Sequence, residues 1–271
     1  MDRYAVFGNP IAHSLSPKIH QAFAEQTQQR LSYETVCPQL DNFAETARHF
    51  LTTGGNGLNV TIPFKEQAYN FVEKLTARAQ CAKAVNTIGQ TQGEIWGDNT
   101  DGIGLIRDLR MQNIALSNST ILIVGAGGAV RGVLAPLLEQ QPHSIVLTNR
   151  THNRAIQLVD EFKTLGAISA KSCDDLMGMR FDLIIHGSAA GLHNTRLPLP
   201  SSVIAPDHTV CYDMMYSAQH TLFNQWAQQH NAQRTLDGLG MLVEQAAEAF
   251  YLWRGVRPET EPVRTLIRNS L

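Results

Sequence analysis

At 271 residues, 43% of them hydrophobic, the chain has apolar side chains enough for a sizeable core and length enough for two domains, which excludes a disordered protein. A formal net charge of −2 gives no general attraction to nucleic acid or to an anionic membrane, so an anionic ligand must be held by local groups and is expected to be small. Cys37, Cys81, Cys173 and Cys211 are scattered, with no C-x-x-C and no close Cys/His pairing, and so indicate neither a disulfide framework nor a zinc site.

The N-terminus enters a strand pattern directly, and no apolar run approaches the roughly 20 residues a bilayer span needs. The expectation is a soluble, unprocessed, cytoplasmic protein, a monomer or homodimer, with no nucleic-acid or membrane partner and no metal.

Residues 3–7 suit a short strand, broken by Gly8-Asn9-Pro10. In His13-Ser14-Leu15-Ser16-Pro17, Ser16 is placed to cap a helix whose first position is Pro17. The Ser14 and Ser16 hydroxyls beside free helix N–H groups make a cradle for a carboxylate, with capping alone as the other reading of Ser16. Residues 32–37 read as a strand, 41–53 as an amphipathic helix, and Gly54-Gly55-Asn56-Gly57 as a break before a strand over 58–62.

In Asn59-Val60-Thr61-Ile62-Pro63-Phe64-Lys65 polar and apolar residues alternate, so Asn59 and Thr61 share a strand face and Pro63 ends the strand. Lys65 then opens a helix. A cation there opposes the helix dipole, which marks Lys65 for a role other than stability, a surface lysine being the alternative. Residues 84–88 suit another strand, and the run from Trp96 to Gly102 a polar turn into a helix over 103–111. Asp98, Asn99 and Asp101 all suit turn and cap positions there.

The stretch from Thr120 to Gly132 runs four β-favouring apolar residues into a cluster of glycines: strand, tight turn, helix. Gly125 and Gly127 fit the first two positions of G-x-G-x-x-G/A, while the third is Val130. A helix over 129–140 and a strand over 144–148 complete a βαβ unit. That strand ends on Asn149-Arg150-Thr151, without the acidic residue an NAD ribose needs. Arg150 and Arg154, four residues apart, flank a 2′-phosphate, and Thr151 adds a hydroxyl. NADP is the cofactor expected; the alternative is two arginines on a solvated helix face.

Strands over 181–185 and 209–213 extend a doubly wound sheet, with Pro198, Pro200 and Pro206 marking the loop between them. Tyr212-Asp213-Met214-Met215-Tyr216 leaves the carboxyl end of its strand, where such sheets bind ligands. Phe223 and Trp226 fall on a core helix. Asp237-Gly238-Leu239-Gly240 turns into a long apolar helix over 241–253, whose polar Gln245 faces either a ligand pocket or solvent. The domain boundary is expected after Asp101, with the last helices packing back on the first domain.

Taken together, Ser14-Leu15-Ser16-Pro17, Asn59-Val60-Thr61-Ile62-Pro63-Phe64-Lys65, Ala84-Val85-Asn86-Thr87-Ile88, Asn99-Thr100-Asp101-Gly102, Gly125-Ala126-Gly127-Gly128-Ala129, Asn149-Arg150-Thr151 and Asp237-Gly238-Leu239-Gly240-Met241-Leu242 resemble the shikimate dehydrogenase family of the AroE type, end to end. The resemblance implies an α/β fold of two domains. The substrate-binding domain would be 1–101 plus 239–271, and the Rossmann-type NADP-binding domain 102–238. It implies NADPH-dependent reduction of 3-dehydroshikimate to shikimate in aromatic amino-acid biosynthesis.

Carried over by resemblance, Lys65 and Asp101 are the catalytic residues. Ser14, Ser16, Asn59 and Thr61 join them at the substrate, with Asn86, Tyr216 and Gln245. The cofactor side takes Gly125, Ala126, Gly127, Gly128 and Ala129, then Asn149, Arg150, Thr151 and Arg154, then Met214 and Gly238. Lys65 would supply both the cation and the proton for the developing alkoxide, with Asp101 orienting it.

Two places depart. Where the family commonly has Asn-Ala-Thr-Ser, this chain has His186-Gly187-Ser188-Ala189 before Gly191, and where it often has Thr-Pro, here stands His220-Thr221. Both fall toward the nicotinamide side, so they bear on cofactor affinity or turnover rather than reaction class. A quinate/shikimate paralogue accepting NAD is the alternative enzyme, against which the arginine and serine pairs argue. A sensor that keeps the fold without turnover is the other, against which Lys65 and Asp101 argue.

Overall fold

A computed structural model describes residues 1–188 and 199–271 of the chain; Ala189, Gly191 and Pro198 lie outside the described residues. The chain folds as two units, Met1–Gly104 with Leu242–Ser270, and Leu105–Met241.

The first unit opens with β1 (Asp2–Phe7), α1 (Ser16–Gln26), β2 (Leu31–Val36), α2 (Phe43–Thr52), β3 (Gly55–Val60) and α3 (Lys65–Phe71). It continues with β4 (Lys74–Leu75), α4 (Ala77–Ala82), β5 (Thr87–Thr91), β6 (Glu94–Asp98) and the start of α5 (Asp101–Met111). The sheet order is β2-β1-β3-β5-β6-β4. β1 is parallel to both β2 and β3, and its residues Tyr4 to Phe7 are buried, as a strand covered on two faces requires. Phe7, Phe43, Phe50 and Phe64 dominate the core, Phe43 stacking on Phe64 at 5.3 Å.

Several local expectations change here: Gly55 to Gly57, expected as a break, begin β3, which ends at Val60 and so leaves out Thr61 and Ile62. Ser16 is the first residue of α1 rather than its cap; the flanking position is Leu15, and the Ser16 N–H donates to Ser14 Oγ at 3.3 Å. The strand expected over 84–88 starts only at Thr87. Trp96, Gly97 and Asp98, expected in a turn, lie in β6, antiparallel to β5. Gln92 and Gly93, at φ of 53° and 85°, make the two-residue turn between these strands, positive φ at both positions being what a type I′ hairpin turn needs.

The second unit contains the rest of α5, then β7 (Thr120–Val124), α6 (Gly128–Leu138), β8 (Ser144–Thr148), α7 (His152–Phe162) and β9 (Ile168–Ala170). β10 (Leu183–His186), β11 (Val210–Asp213), α8 (Leu222–Gln229) and β12 (Arg234–Asp237) follow. All strands are parallel in the order β12-β11-β10-β7-β8-β9, so the sheet is wound in both directions from β7 and the order reverses between β7 and β10. Ile121 to Val124 are fully buried. β9 and β12 have no counterpart in the sequence pattern: both lie on the sheet's edges, one has three residues, and the other has a single apolar residue, Leu236, among its four.

α9 (Leu239–Arg254) and α10 (Glu261–Arg268) end the chain. From Leu242 onward these residues belong to the first unit, where Trp253 stacks on Tyr4 at 4.7 Å and donates through Nε1 to the Ile88 carbonyl at 3.0 Å. Among the described residues no helix is long and apolar enough to cross a membrane, and no cluster of side chains could hold a metal ion. The four cysteines are free thiols.

Candidate active site

In the first unit the sequence places a cation and an anion on two different helix starts. Lys65 is the first residue of α3, where the dipole opposes it, and Asp101 the first residue of α5, where the dipole favours it. Their side chains meet, with Lys65 Nζ 2.5 Å from Asp101 Oδ2. The Lys65 side chain is 19% exposed and that of Asp101 8%, so this is a sheltered pair and Lys65 is not the surface lysine of the alternative reading. Asp101 is held from behind: its N–H donates to Asn99 Oδ1 at 3.1 Å, and its Oδ1 accepts from Asn86 Nδ2 at 2.8 Å.

Asn86 is the centre of the arrangement. It sits just before β5, where its N–H donates to the Asp98 carbonyl and its own carbonyl accepts from the Val60 N–H. Its side-chain Oδ1 accepts from the Thr100 N–H at 2.9 Å and from the Thr87 hydroxyl at 2.9 Å. Gln245 brings Oε1 to 3.4 Å from Asn86 Nδ2 and accepts from the Thr100 hydroxyl at 3.3 Å. Its amide therefore faces this polar cluster and not open solvent. Asn59 Nδ2 donates to the Asn86 carbonyl and to Thr87 Oγ1, both at 3.1 Å, while its Oδ1 accepts from the Tyr33 hydroxyl at 2.7 Å.

Lys65, Asp101, Asn86, Asn59 and Gln245 are thus brought into one network. Burial pushes the Tyr33 phenol well above its ordinary value, and Ser16, at the start of α1, is buried. Ser14 is half-buried at the α1 start, where its Oγ accepts from the Ser16 N–H. Thr61 follows β3 and is half-buried; its N–H donates to the Phe7 carbonyl.

Sequence reasoning missed Thr100, Thr87 and Tyr33, and it read Asp98 as a turn residue. Asp98 is fully buried and accepts from Arg78 Nη2 at 2.5 Å, Arg78 Nε at 3.1 Å, the Thr76 hydroxyl at 2.6 Å and the Asn99 N–H at 2.7 Å. Arg78 also reaches Glu248 on α9 at 3.2 Å, and Glu248 pairs with Arg257 at 2.9 Å. This ion network fixes the turn that carries Asn99, Thr100 and Asp101.

In the second unit Gly125 takes φ of 124°, a conformation that side chains rarely adopt, and its N–H donates to the Thr148 carbonyl at 2.8 Å. Gly127 caps α6 and Gly128 begins it; a Cβ built on either meets no atom within 4 Å. Packing therefore does not require glycine at these two places. What they leave is open space before the unpaired N–H groups of a helix start, which suits a phosphate. Ala126 and Ala129 flank them, half-buried.

Arg150 and Arg154 are exposed, and among the described residues neither forms an ion pair. Asn149 Nδ2 donates to the Thr151 carbonyl at 2.9 Å, Thr151 stands before the first turn of α7, and no carboxylate occupies position 149. The donor set fits a cofactor with a 2′-phosphate. Met214 and Gly238 are also together: the Gly238 N–H donates to the Met215 carbonyl at 3.0 Å, and a Cβ at 238 would stand 2.2 Å from the Met214 carbonyl oxygen. Tyr216 follows β11 in this unit, half-buried, its phenol pushed up by burial.

Three family models match the chain: the shikimate dehydrogenase substrate binding domain over residues 6–88, shikimate / quinate 5-dehydrogenase over 108–194, and the shikimate 5'-dehydrogenase C-terminal domain over 238–268. The shikimate dehydrogenase (NADP(+)) of Hahella chejuensis is 54% identical over 271 residues, covering all of both chains. That of Cellvibrio japonicus is 52% identical over all of this chain and 98% of its own. Among solved structures, the Thermus thermophilus shikimate 5-dehydrogenase in complex with NADP(H) and shikimate superposes with a TM-score of 0.90 at 32% identity over the whole of both chains.

Proposed function

The chain belongs to the shikimate dehydrogenase family, and from that premise we propose which of its residues do the work. The reaction is the reversible, NADP-dependent interconversion of 3-dehydroshikimate and shikimate, a step of aromatic amino-acid biosynthesis. NADPH, when bound, supplies the hydride that reaches the substrate's C3 carbonyl carbon.

Lys65 carries the proton. As the carbonyl oxygen gains negative charge, the ammonium stabilises it and then transfers a proton from Nζ to that oxygen, leaving a neutral amine that takes a proton back from solvent. Asp101 stays a carboxylate throughout: it aims the ammonium and accepts from substrate hydroxyls. The single observation that carries this assignment is the Lys65–Asp101 pair at 2.5 Å, backed by Asn86 on the other carboxylate oxygen. Asn59, Asn86 and Gln245 then present amides to the remaining substrate hydroxyls, and Ser14, Ser16 and Thr61 present hydroxyls, the serines to its carboxylate.

On the cofactor side, Gly125 to Ala129 would hold the pyrophosphate, Asn149, Arg150, Thr151 and Arg154 the ribose 2′-phosphate, and Met214 and Gly238 the nicotinamide. A cytosolic location belongs to the same proposal, supported by the four free thiols. The test is a rate assay at the absorbance of reduced nicotinamide, with shikimate or quinate against NADP or NAD. Shikimate with NADP is expected to exceed every other pairing in kcat/KM by about tenfold or more, the worth of one lost charge-assisted hydrogen bond. Equal turnover with NAD or with quinate contradicts the assignment.

A further inference from the structure

One buried polar group of the second unit is not used above. At the ends of β10 and β11, His186 Nδ1 lies 3.0 Å from Asp213 Oδ1, and His186 Nε2 lies 2.7 Å from Ser188 Oγ. His186 and Asp213 are buried, and the imidazole stacks on Phe223 with ring centroids 4.9 Å apart. Asp213 Oδ1 also accepts the Met215 N–H at 3.1 Å.

An oxygen on which two nitrogen donors converge acts as an acceptor. As the neutral imidazole with its Nδ1 proton toward the Asp213 carboxylate, His186 keeps a lone pair on Nε2, and the Ser188 hydroxyl is then the donor to Nε2. A hydroxyl that has committed its one proton offers only lone pairs to any other partner. The Asp213–His186 pair thus sets the polarity of Ser188.

The position of Ser188 says which partner this suits. It follows β10 by two residues, on the strand next to β7 where the sheet order reverses, and dinucleotides bind beyond the carboxyl ends of strands at such a point. A Cβ on Gly125 would stand 3.1 Å from the Ser188 nitrogen, so Ser188 lies against the glycine turn. A Cβ on Gly187 would stand 2.6 Å from Val130 Cγ2 and 2.8 Å from Met214 Sδ, which packs this segment between α6 and the residue assigned to the nicotinamide.

We propose that Ser188 accepts a hydrogen bond from the carboxamide NH2 of the nicotinamide, and that His186 and Asp213 are positioning residues that keep its hydroxyl an acceptor. This rests on the assignment of NADP to the second unit. The departure at His186-Gly187-Ser188 thereby acquires a role, since the histidine stands where the family commonly has Asn and carries the polarity of Asp213 to the serine.

The test is equilibrium binding by calorimetry, without substrate, of NADP and of its 3-acetylpyridine analogue, in which a methyl replaces the NH2. The unmodified protein should bind NADP roughly tenfold more tightly than the analogue, about the worth of one neutral hydrogen bond. Ser188→Ala should lose that preference by weakening NADP alone, and Ser188→Thr should restore it. His186→Phe, which keeps a ring against Phe223, should lose the preference with Ser188 intact. A preference unchanged in Ser188→Ala, or retained in His186→Phe, overturns the proposal. Imidazole 15N shifts of the unmodified protein give a second reading that needs no variant: a proton on Nδ1 supports the polarity argued here, and a proton on Nε2 overturns it. If the unmodified protein binds no NADP, the cofactor assignment itself fails; if it binds NADP and the analogue equally, only the role of Ser188 does.

Discussion

In the first unit the side chains assigned to the substrate hold one another: Lys65 is on Asp101, Asp101 on Asn86, Asn86 on Thr100 and Gln245, and Asn59 on Tyr33. In the second unit the groups assigned to the NADP phosphates are held back from one another. Gly127 and Gly128 face open space, and Arg150 and Arg154 stand exposed without an ion pair among the described residues. The contrast follows from what each ligand needs. A carbonyl about to become an alkoxide needs a proton and a charge already in place, since groups fixed beforehand need no reorganisation as the charge develops. A phosphate brings its own charge and needs only room, backbone N–H groups and a guanidinium that its partner has not already taken.

The comparison can be broken on either side. Lys65→Ala strikes the interlocked side and should give the largest effect, a fall in kcat of about 10²–10⁴, because removing a general acid typically costs that much, with NADP affinity nearly unchanged. Steady-state rates alongside a cofactor titration check it; a kcat within about threefold of the parent would assign proton transfer to another group. Arg150→Ala strikes the open side and should raise the KM for NADP about tenfold while leaving that for NAD almost unchanged, since only NADP carries the 2′-phosphate. An equal rise for both cofactors would remove Arg150 from the phosphate site.

The smallest effect concerns the wall behind the interlocked site. His20 stacks on Tyr33 at 4.3 Å inside an aromatic cluster with Phe23, Phe250 and Trp253, and burial pushes its imidazole down to about 3. The unfolded chain takes up that proton below about 6.5 while the folded chain does not, so the unfolded state binds more protons and stability falls as pH drops from about 6.5 toward 3. At pH 5.5 this loss is about 1 kcal/mol relative to neutral pH. His20→Phe should flatten that acid branch in denaturant melts and leave kcat at neutral pH unchanged. An acid branch as steep in the variant as in the parent would mean that other groups cause it.

How far the sequence shows all this depends on the distance between cooperating residues. The strand into Gly125 is legible because a run of apolar residues ending in a glycine at positive φ is a local signal, and β7, β8, β10 and β11 each appear as buried runs. Lys65 stands out by position alone, as a cation at a helix start. Asp98 does not, because the residues that bury it, Arg78 and Thr76, lie about twenty positions away, and Glu248 of the same network lies on α9. A buried carboxylate in a pattern of turn residues looks like a turn until its arginine is in view. Gln92-Gly93 carried the hairpin signal, yet β5 and β6 are short and β6 ends in the buried polar Asp98, so the alternation there is weak. Ser16 shows the reverse error: Pro17 placed the helix start correctly to within a residue, but Ser16 is the first helical residue and its hydroxyl does not cap.

The central claim is that Lys65 and Asp101 act as one device, and a double-mutant cycle on kcat tests it most directly. Asp101→Asn alone should cost about 10²-fold, the effect of misplacing a catalytic group by about an ångström. The combined Lys65→Ala, Asp101→Asn variant should then be no more than about threefold slower than Lys65→Ala, because residues acting through one proton are not additive. If the double variant instead loses the product of the two single effects, the carboxylate and the ammonium act independently, and the 2.5 Å pair is a structural contact only.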